Sequence, residues 1–293
     1  MTEIIESLAD IGARYDVLYC DLWGCLHDGR ALYPDAVAAV QAFRRGGGAV
    51  VLMTNAPRTR HAVERRLRRM GLPDDAWDLI VSSGDATQEA MLLGAAGRKL
   101  WHLGPGKDED LFSEIPEALA DQPPIERVPF DRAEGIICTG PFDEYNDTLE
   151  DYRGRFLSAK ARGLTMLSAN PDLMVDVGEI RIHCAGALAQ LYAQMGGDVL
   201  SFGKPHPPIY DLARRRLAER GLPSESDRIL AVGDGILTDV AGAQGEGIDA
   251  LFVTGGLETR RFGTDPARPD TAGLRDWLRE QGRTPRYAIG RLR

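Results

Sequence analysis

The sequence predicts an α/β protein built on an open parallel sheet, with a second α/β domain inserted into it. Three observations carry this. Short apolar runs such as "VLYCD" (17–21), "AVVLMTN" (49–55) and "RILAVGD" (228–234) lack the alternation of half-exposed strands and suit strands covered on both faces. Amphipathic helical stretches follow them at short distance, the order that builds parallel strands with right-handed crossovers. The same grammar opens and closes the 293-residue chain around a third block of the same kind, and this length suits two domains.

Taken in order, "PDAVAAVQAFRRGGG" (34–48) reads as a helix, with Pro34 in its first turn, Val37, Val40 and Phe43 near one face, and glycines to stop it. "RTRHAVERRLRRMG" (58–71) is the next helix, closed by Gly71. The middle block runs through "KLWHLG" (99–104), "GIICTG" (135–140), a helix from about Asp147 to Ala161, "LTMLSANPD" (164–172), "MVDVGEIRI" (174–182) and a helix from Cys184 to Met195. Within it the Pro-containing stretch 120–135 reads as a loop. In the last third, "VLSFG" (199–203) reads as a core strand, 207–221 as a helix, 228–234 as a strand, 237–247 as a helix and "DALFV" (249–253) as a strand. The expected division is a core of residues 1–84 and 198–293 with an insert of residues 85–197.

Composition narrows the function. A formal net charge of −9 argues against a general nucleic-acid or anionic-membrane binder. The basic clusters at 60–70 and 282–293 read as a solvated helix face and a charged tail. No apolar run reaches membrane-spanning length and the acidic N-terminus lacks a signal-peptide pattern. Cys20, Cys25, Cys138 and Cys184 have no metal-ligand spacing and read as buried free thiols. The expected location is the cytoplasm, without nucleic-acid or membrane partners.

Ligands of open parallel sheets bind outside the carboxyl ends of the strands. Asp21, Thr54-Asn55, the Gly203-Lys204-Pro205 turn and Asp234 all fall at such ends. Two carboxylates, a hydroxyl/amide pair and an ammonium suit phosphoryl transfer: one carboxylate attacks phosphorus, both hold Mg²⁺, and the lysine and hydroxyl offset charge on the non-bridging oxygens. Singly, each residue has a plainer reading. Asp234 and Asp239 could cap the helix near Leu237, Thr54 and Asn55 the helix after Pro57, and Lys204 could be a surface lysine. The joint arrangement favours a phosphate site. The five histidines show no metal-ligand spacing.

The order D-x-x-G, T-N, G-K-P and G-D-x-x-x-T-D resembles the four motifs of the haloacid dehalogenase superfamily. The α/β insert between the second and third resembles the C2-type cap of its subfamily IIA, the NagD-like hydrolases, as do "SANPD" (168–172), 184–197 and 202–211. The resemblance implies a Rossmann-like core and an aspartyl phosphate on Asp21. It implies a phosphate-binding Thr54 supported by Asn55, and a Lys204 that pairs with nucleophile and phosphate. Mg²⁺ would be held by Asp21, Asp234 and the backbone carbonyl of Trp23, with Asp239 orienting that shell. Asn170 and Asp172 mark the cap edge facing substrate. A small phosphorylated metabolite, of the sugar phosphate or nucleotide class, is the implied partner, and a homodimer is admissible. Halide displacement needs no metal and fits the intact "GDGILTD" (233–239) less well.

Position 23 departs from the resembled pattern D-x-D-G. Its second aspartate protonates the leaving alcohol and later activates water, which an indole cannot do. Three readings follow: a phosphatase with a proton from His27, Asp28, Asp172 or Asp176; an enzyme for good leaving groups or for phosphotransfer; or a catalytically silent phospho-metabolite binder. The expectation is a slow or atypical Mg²⁺-dependent hydrolase of small phosphate monoesters.

Overall fold

The computed structural model describes residues 2–177, 180–224 and 226–293. The chain divides into two compact units, one of Met1–Thr54, Glu64–Val81 and Tyr210–Arg293, the other of Asn55–Val63 and Ser82–Ile209. Among the described residues no helix is long and apolar enough to cross a membrane.

The first unit is organised by a sheet ordered Glu3–Ile4, Tyr287–Ile289, Asp249–Val253, Ile229–Gly233, Val17–Cys20, Ala49–Thr54 and Leu79–Ser82. The first six run parallel. Their continuous apolar runs are explained by burial, since Val17, Leu18, Val50, Val51, Leu52, Leu230 and Leu251 are all enclosed. From Val17–Cys20 the chain steps outward one way to Ala49–Thr54, and after the second unit returns on the other side to Ile229–Gly233. The switch point of the topology therefore lies between these two central strands. Helix Pro34–Arg45 carries its proline in the first turn, buries Ala36, Val37 and Val40, and is followed by Gly47 at φ +95°, a conformation glycine adopts without steric cost.

The second unit holds a five-stranded sheet ordered Val199–Ser201, Thr165–Ser168, Gly135–Cys138, Lys99–Leu103 and Glu126–Arg127, all parallel. Alternate residues of its strands enter two cores. Trp101, Ile136 and Met166 pack with Tyr152, Phe156, Leu188 and Tyr192, whereas Leu100, Ile137 and Leu167 pack with Met91, Leu92 and Leu111.

Four sequence expectations change. The strand expected in the core at 199–203 is an edge strand of the second sheet, paired with Thr165–Ser168. An apolar run with a preceding helix (Ala185–Gln194) serves either parallel sheet, and only the crossover shows which. The run 174–182 is two antiparallel strands, Met174–Val177 and Ile180–His183, with residues 178 and 179 outside the described residues. The stretch 120–135 contains the short edge strand Glu126–Arg127. The tail at 282–293 is no solvated tail: Tyr287, Ala288 and Ile289 are wholly buried between Glu3–Ile4 and Asp249–Val253. Its arginines disguise a short strand because the apolar residues number too few to register as a run.

Candidate active site

In the first unit, register places the two central strands level. Val232 lies opposite Cys20, and the Asp21 N–H donates to the Val232 carbonyl at 2.8 Å. Asp21 and Asp234 thus emerge side by side at the carboxyl edge of the switch point. Carboxylate oxygens of Asp21 and Asp234 and the Cys25 thiol sulfur all lie within 4.8 Å of one another. Thr54, buried, closes the neighbouring strand, in which Leu52 lies opposite Cys20.

Asp234 sits in a tight cradle. Its Oδ2 accepts the Leu257 N–H at 2.7 Å. A Cβ on Gly24 would come 1.9 Å from that oxygen and one on Gly256 2.1 Å, so both positions require glycine; Gly24 is also at φ +71°. Asp239 is buried, its Oδ2 accepting the Gly235 N–H at 3.1 Å, and a Cβ on Gly233 would strike its carboxylate. It therefore braces the turn that carries Asp234.

Cys25 was read only as a buried thiol, and buried it is. Burial first, then the Asp234 and Asp21 carboxylates, push its thiol well above the usual range. A neutral thiol is a poor partner for a hard cation, whereas two converging carboxylates suit one. The donor set fits a divalent ion held by oxygen.

The loop after Asp21 is built around Trp23. The Trp23 and His27 rings meet edge to face at 5.2 Å, and the Arg66 guanidinium lies 5.3 Å from the indole centroid. His27 is held neutral: burial first, then the charge of Arg66, lowers it to about 4, and its Nδ1 accepts the Gly29 N–H at 3.0 Å. Asp28 caps the turn, its Oδ1 accepting the Arg30 and Ala31 N–H groups at 2.8 Å. His27 and Asp28, two of the four candidates for a substitute acid, are thus engaged in holding the loop.

In the second unit, Asn55 and Lys204 meet. Lys204 is 2% exposed. Its N–H donates to Asn55 Oδ1 at 2.7 Å, while Asn55 Nδ2 donates to the Lys204 carbonyl at 3.0 Å and to Asp172 Oδ1 at 2.8 Å. Both amide hydrogens of Asn55 are thereby engaged in fixing the Lys204 backbone and the 170–172 loop. A Cβ on Gly203 would lie 2.6 Å from Asn55 Oδ1 and from Ser83 Oγ, which explains the glycine before the lysine. Asn170 is buried and its Oδ1 accepts the Asp172 N–H at 2.9 Å, a side-chain turn that shapes the strand-end loop. Asp176 pairs with Arg181 across the hairpin at 2.7 Å. Among the candidates of this unit, Asn55, Lys204 and Asp172 are joined directly and Asn170 holds Asp172.

Sequence reasoning missed Cys25 beside the carboxylates, Arg66 over Trp23, and Gly256 and Leu257 around Asp234. The first lay in view as the residue after Gly24; the others join the site through tertiary contacts with no local pattern.

The paired carboxylates lie at the carboxyl edge of the switch point, where parallel α/β sheets bind their ligands. Residues 18–115 match the family model of the haloacid dehalogenase-like hydrolases, and residues 201–277 match that of the HAD-hydrolase-like proteins. A haloacid dehalogenase-like family hydrolase from Brucella suis 1330 is 36% identical, with 99% of this chain and all of that one covered at a TM-score of 0.84. The chain belongs to the haloacid dehalogenase-like hydrolase family. A possible sugar phosphatase of that superfamily from Cytophaga hutchinsonii shares the fold at 19% identity, 99% and 98% coverage and a TM-score of 0.75. A 4-nitrophenylphosphatase from Thermotoga maritima shares it at 21% identity, 95% coverage of each chain and a TM-score of 0.68. No curated protein matches the chain.

Proposed function

We propose that this hydrolase cleaves small phosphate monoesters by way of a phosphoryl group carried on Asp21. One observation carries the reading: the Asp21 and Asp234 carboxylates converge within 4.8 Å at the carboxyl edge of the switch point. Family membership and the phosphate esters named for two fold neighbours support the substrate class.

In this reading an Asp21 carboxylate oxygen attacks phosphorus, and Thr54 donates its hydroxyl hydrogen to a non-bridging oxygen. Asp21, Asp234 and the Trp23 carbonyl would hold Mg²⁺, with Asp239 bracing the Asp234 turn. When bound, the ion supplies charge neutralisation between nucleophile and phosphate. Lys204, with Asn55 fixing its backbone, is assigned to the phosphate, and Asn170 and Asp172 to the substrate edge of the second unit, on the family resemblance. The substrate is a phosphorylated metabolite of the cytoplasm, where four buried free cysteines stay reduced.

The test is release of phosphate from 4-nitrophenyl phosphate with Mg²⁺, together with mass spectrometry after brief exposure to acetyl phosphate. Turnover and a phosphorylated Asp21 peptide are expected, both lost in Asp21→Asn. Turnover equal in Asp21→Asn overturns the reading.

A further inference from the structure

We propose that the Asp21 centre selects substrates by the acidity of the departing hydroxyl, accepting phosphate esters of phenol-like or more acidic groups, and that the boxed Trp23 sets this requirement. The inference rests on Asp21 as nucleophile.

The chemistry poses the demand. As an Asp21 oxygen bonds to phosphorus, the ester P–O bond breaks and its electron pair leaves on the departing oxygen. An alkoxide needs a proton at that moment; a phenolate does not. In the second step water oxygen bonds to phosphorus, the bond to Asp21 breaks with its electron pair returning to the carboxylate, and the water proton goes to the released phosphate.

The wall of the centre that follows Asp21 holds Trp23 in a closed set of contacts. A Cβ on Gly29 would lie 2.2 Å from Trp23 Cη2, so the far edge of the indole fills the space a side chain there would take. Arg66 lies over the ring and donates from Nη2 to the Gly29 carbonyl at 3.1 Å. The Gly29 N–H donates to His27 Nδ1, and the His27 ring edge meets the indole. Trp23, Gly29, His27 and Arg66 therefore lock one another, and the locked side chain has no proton to give at neutral pH. Asp28 is fixed by two backbone N–H groups, and the ring of Tyr33 lies under the Arg291 guanidinium at 5.2 Å.

The experiment compares kcat/KM for 4-nitrophenyl phosphate, phenyl phosphate and glycerol phosphate with Mg²⁺, using wild type, Trp23→Asp and Asp21→Asn. Wild type should fall by roughly 100-fold or more at each step of the series, and Trp23→Asp should flatten it. The wild-type series decides alone if Trp23→Asp fails to fold. Equal kcat/KM across the series, a preference for glycerol phosphate, or no turnover of 4-nitrophenyl phosphate overturns the proposal. A flat series that Asp21→Asn abolishes leaves Asp21 as nucleophile and removes only the selection; activity unchanged in Asp21→Asn removes the nucleophile itself.

Discussion

Asn55 and Lys204 bind one another reciprocally: the Lys204 N–H donates to Asn55 Oδ1 at 2.7 Å and Asn55 Nδ2 donates to the Lys204 carbonyl at 3.0 Å. A side-chain amide thus imitates a strand neighbour and fixes the backbone from which the lysine projects. Asn55→Ala removes both partners, and a buried group left unsatisfied costs about 1–3 kcal/mol. We expect a lower urea midpoint together with a fall in kcat/KM. Asn55→Asp should be worse than alanine, because its carboxylate would face the Lys204 carbonyl and Asp172. A variant of wild-type stability and activity would refute the positioning role.

Gly256→Ala should press a methyl group against Asp234 Oδ2, where it would lie 2.1 Å away. Displacing a metal-binding carboxylate from its support costs on the order of 10–100-fold in affinity. The Mg²⁺ concentration for half-maximal activity should rise accordingly, as should that for half-maximal thermal stabilisation by Mg²⁺. An unchanged Mg²⁺ titration would count against Asp234 as a ligand.

Asp234→Asn keeps the shape and removes the charge. Its expected phenotype is loss of both the Mg²⁺-induced rise in Tm and the phosphatase activity, with the fold retained by circular dichroism. Chelation of wild type should mimic it.

Two groups of the second unit bias stability against pH in opposite directions. Burial, then the Arg127 charge, lowers His102 from 6.5 to about 4; burial raises Asp108 from 3.8 to about 6. Both engage Thr139, His102 Nε2 lying 3.0 Å from its Oγ1. As pH falls below 6.5 the unfolded histidine gains a proton that the folded one refuses, so stability is lost until about pH 4. Over pH 6 to 3.8 the folded aspartic acid gains its proton first, so stability rises. Each effect is on the order of 3 kcal/mol. Asp108→Asn should therefore steepen the acid loss of stability between pH 7 and 5, and His102→Gln should flatten it. Parallel pH profiles by urea unfolding in all three proteins would contradict this account.

A chain ending at residue 285 lacks Tyr287, Ala288, Ile289 and Leu292, all buried. Burial of one large apolar side chain stabilises by about 1.5–3 kcal/mol, and the strand also pairs on both edges. The truncated protein should be insoluble or unfolded at 25 °C; soluble, cooperative unfolding would show the strand to be dispensable.

The parts of this architecture readable from sequence were those written locally. Asp21, Thr54 and Asp234 each terminate a recognisable apolar run, and the glycines that follow announce turns. What escaped was non-local. Nothing in "VLSFG" distinguishes two parallel sheets, and Leu79–Ser82 is a short run whose pairing decides its state. Tyr287–Ile289 is hidden among arginines. At the site, Asn55 reads as a ligand-facing amide until its partners are seen, because Lys204 and Asp172 lie far along the chain. Gly256 owes its identity to Asp234, and Arg66 its place to Trp23, neither of which has a sequence signature.

The position of Val17–Cys20 in the middle of its sheet has a consequence for biosynthesis. One flank is covered early by Ala49–Thr54, but the other waits for Ile229–Gly233, which the ribosome delivers only after the long segment Ser82–Ile209. Throughout that interval the nascent N-terminal layer exposes an open strand edge, the kind of surface on which chains aggregate and chaperones act. The arrival of Ile229–Gly233 closes that edge and brings Asp234 beside Asp21, so the candidate centre forms only as the core sheet is completed.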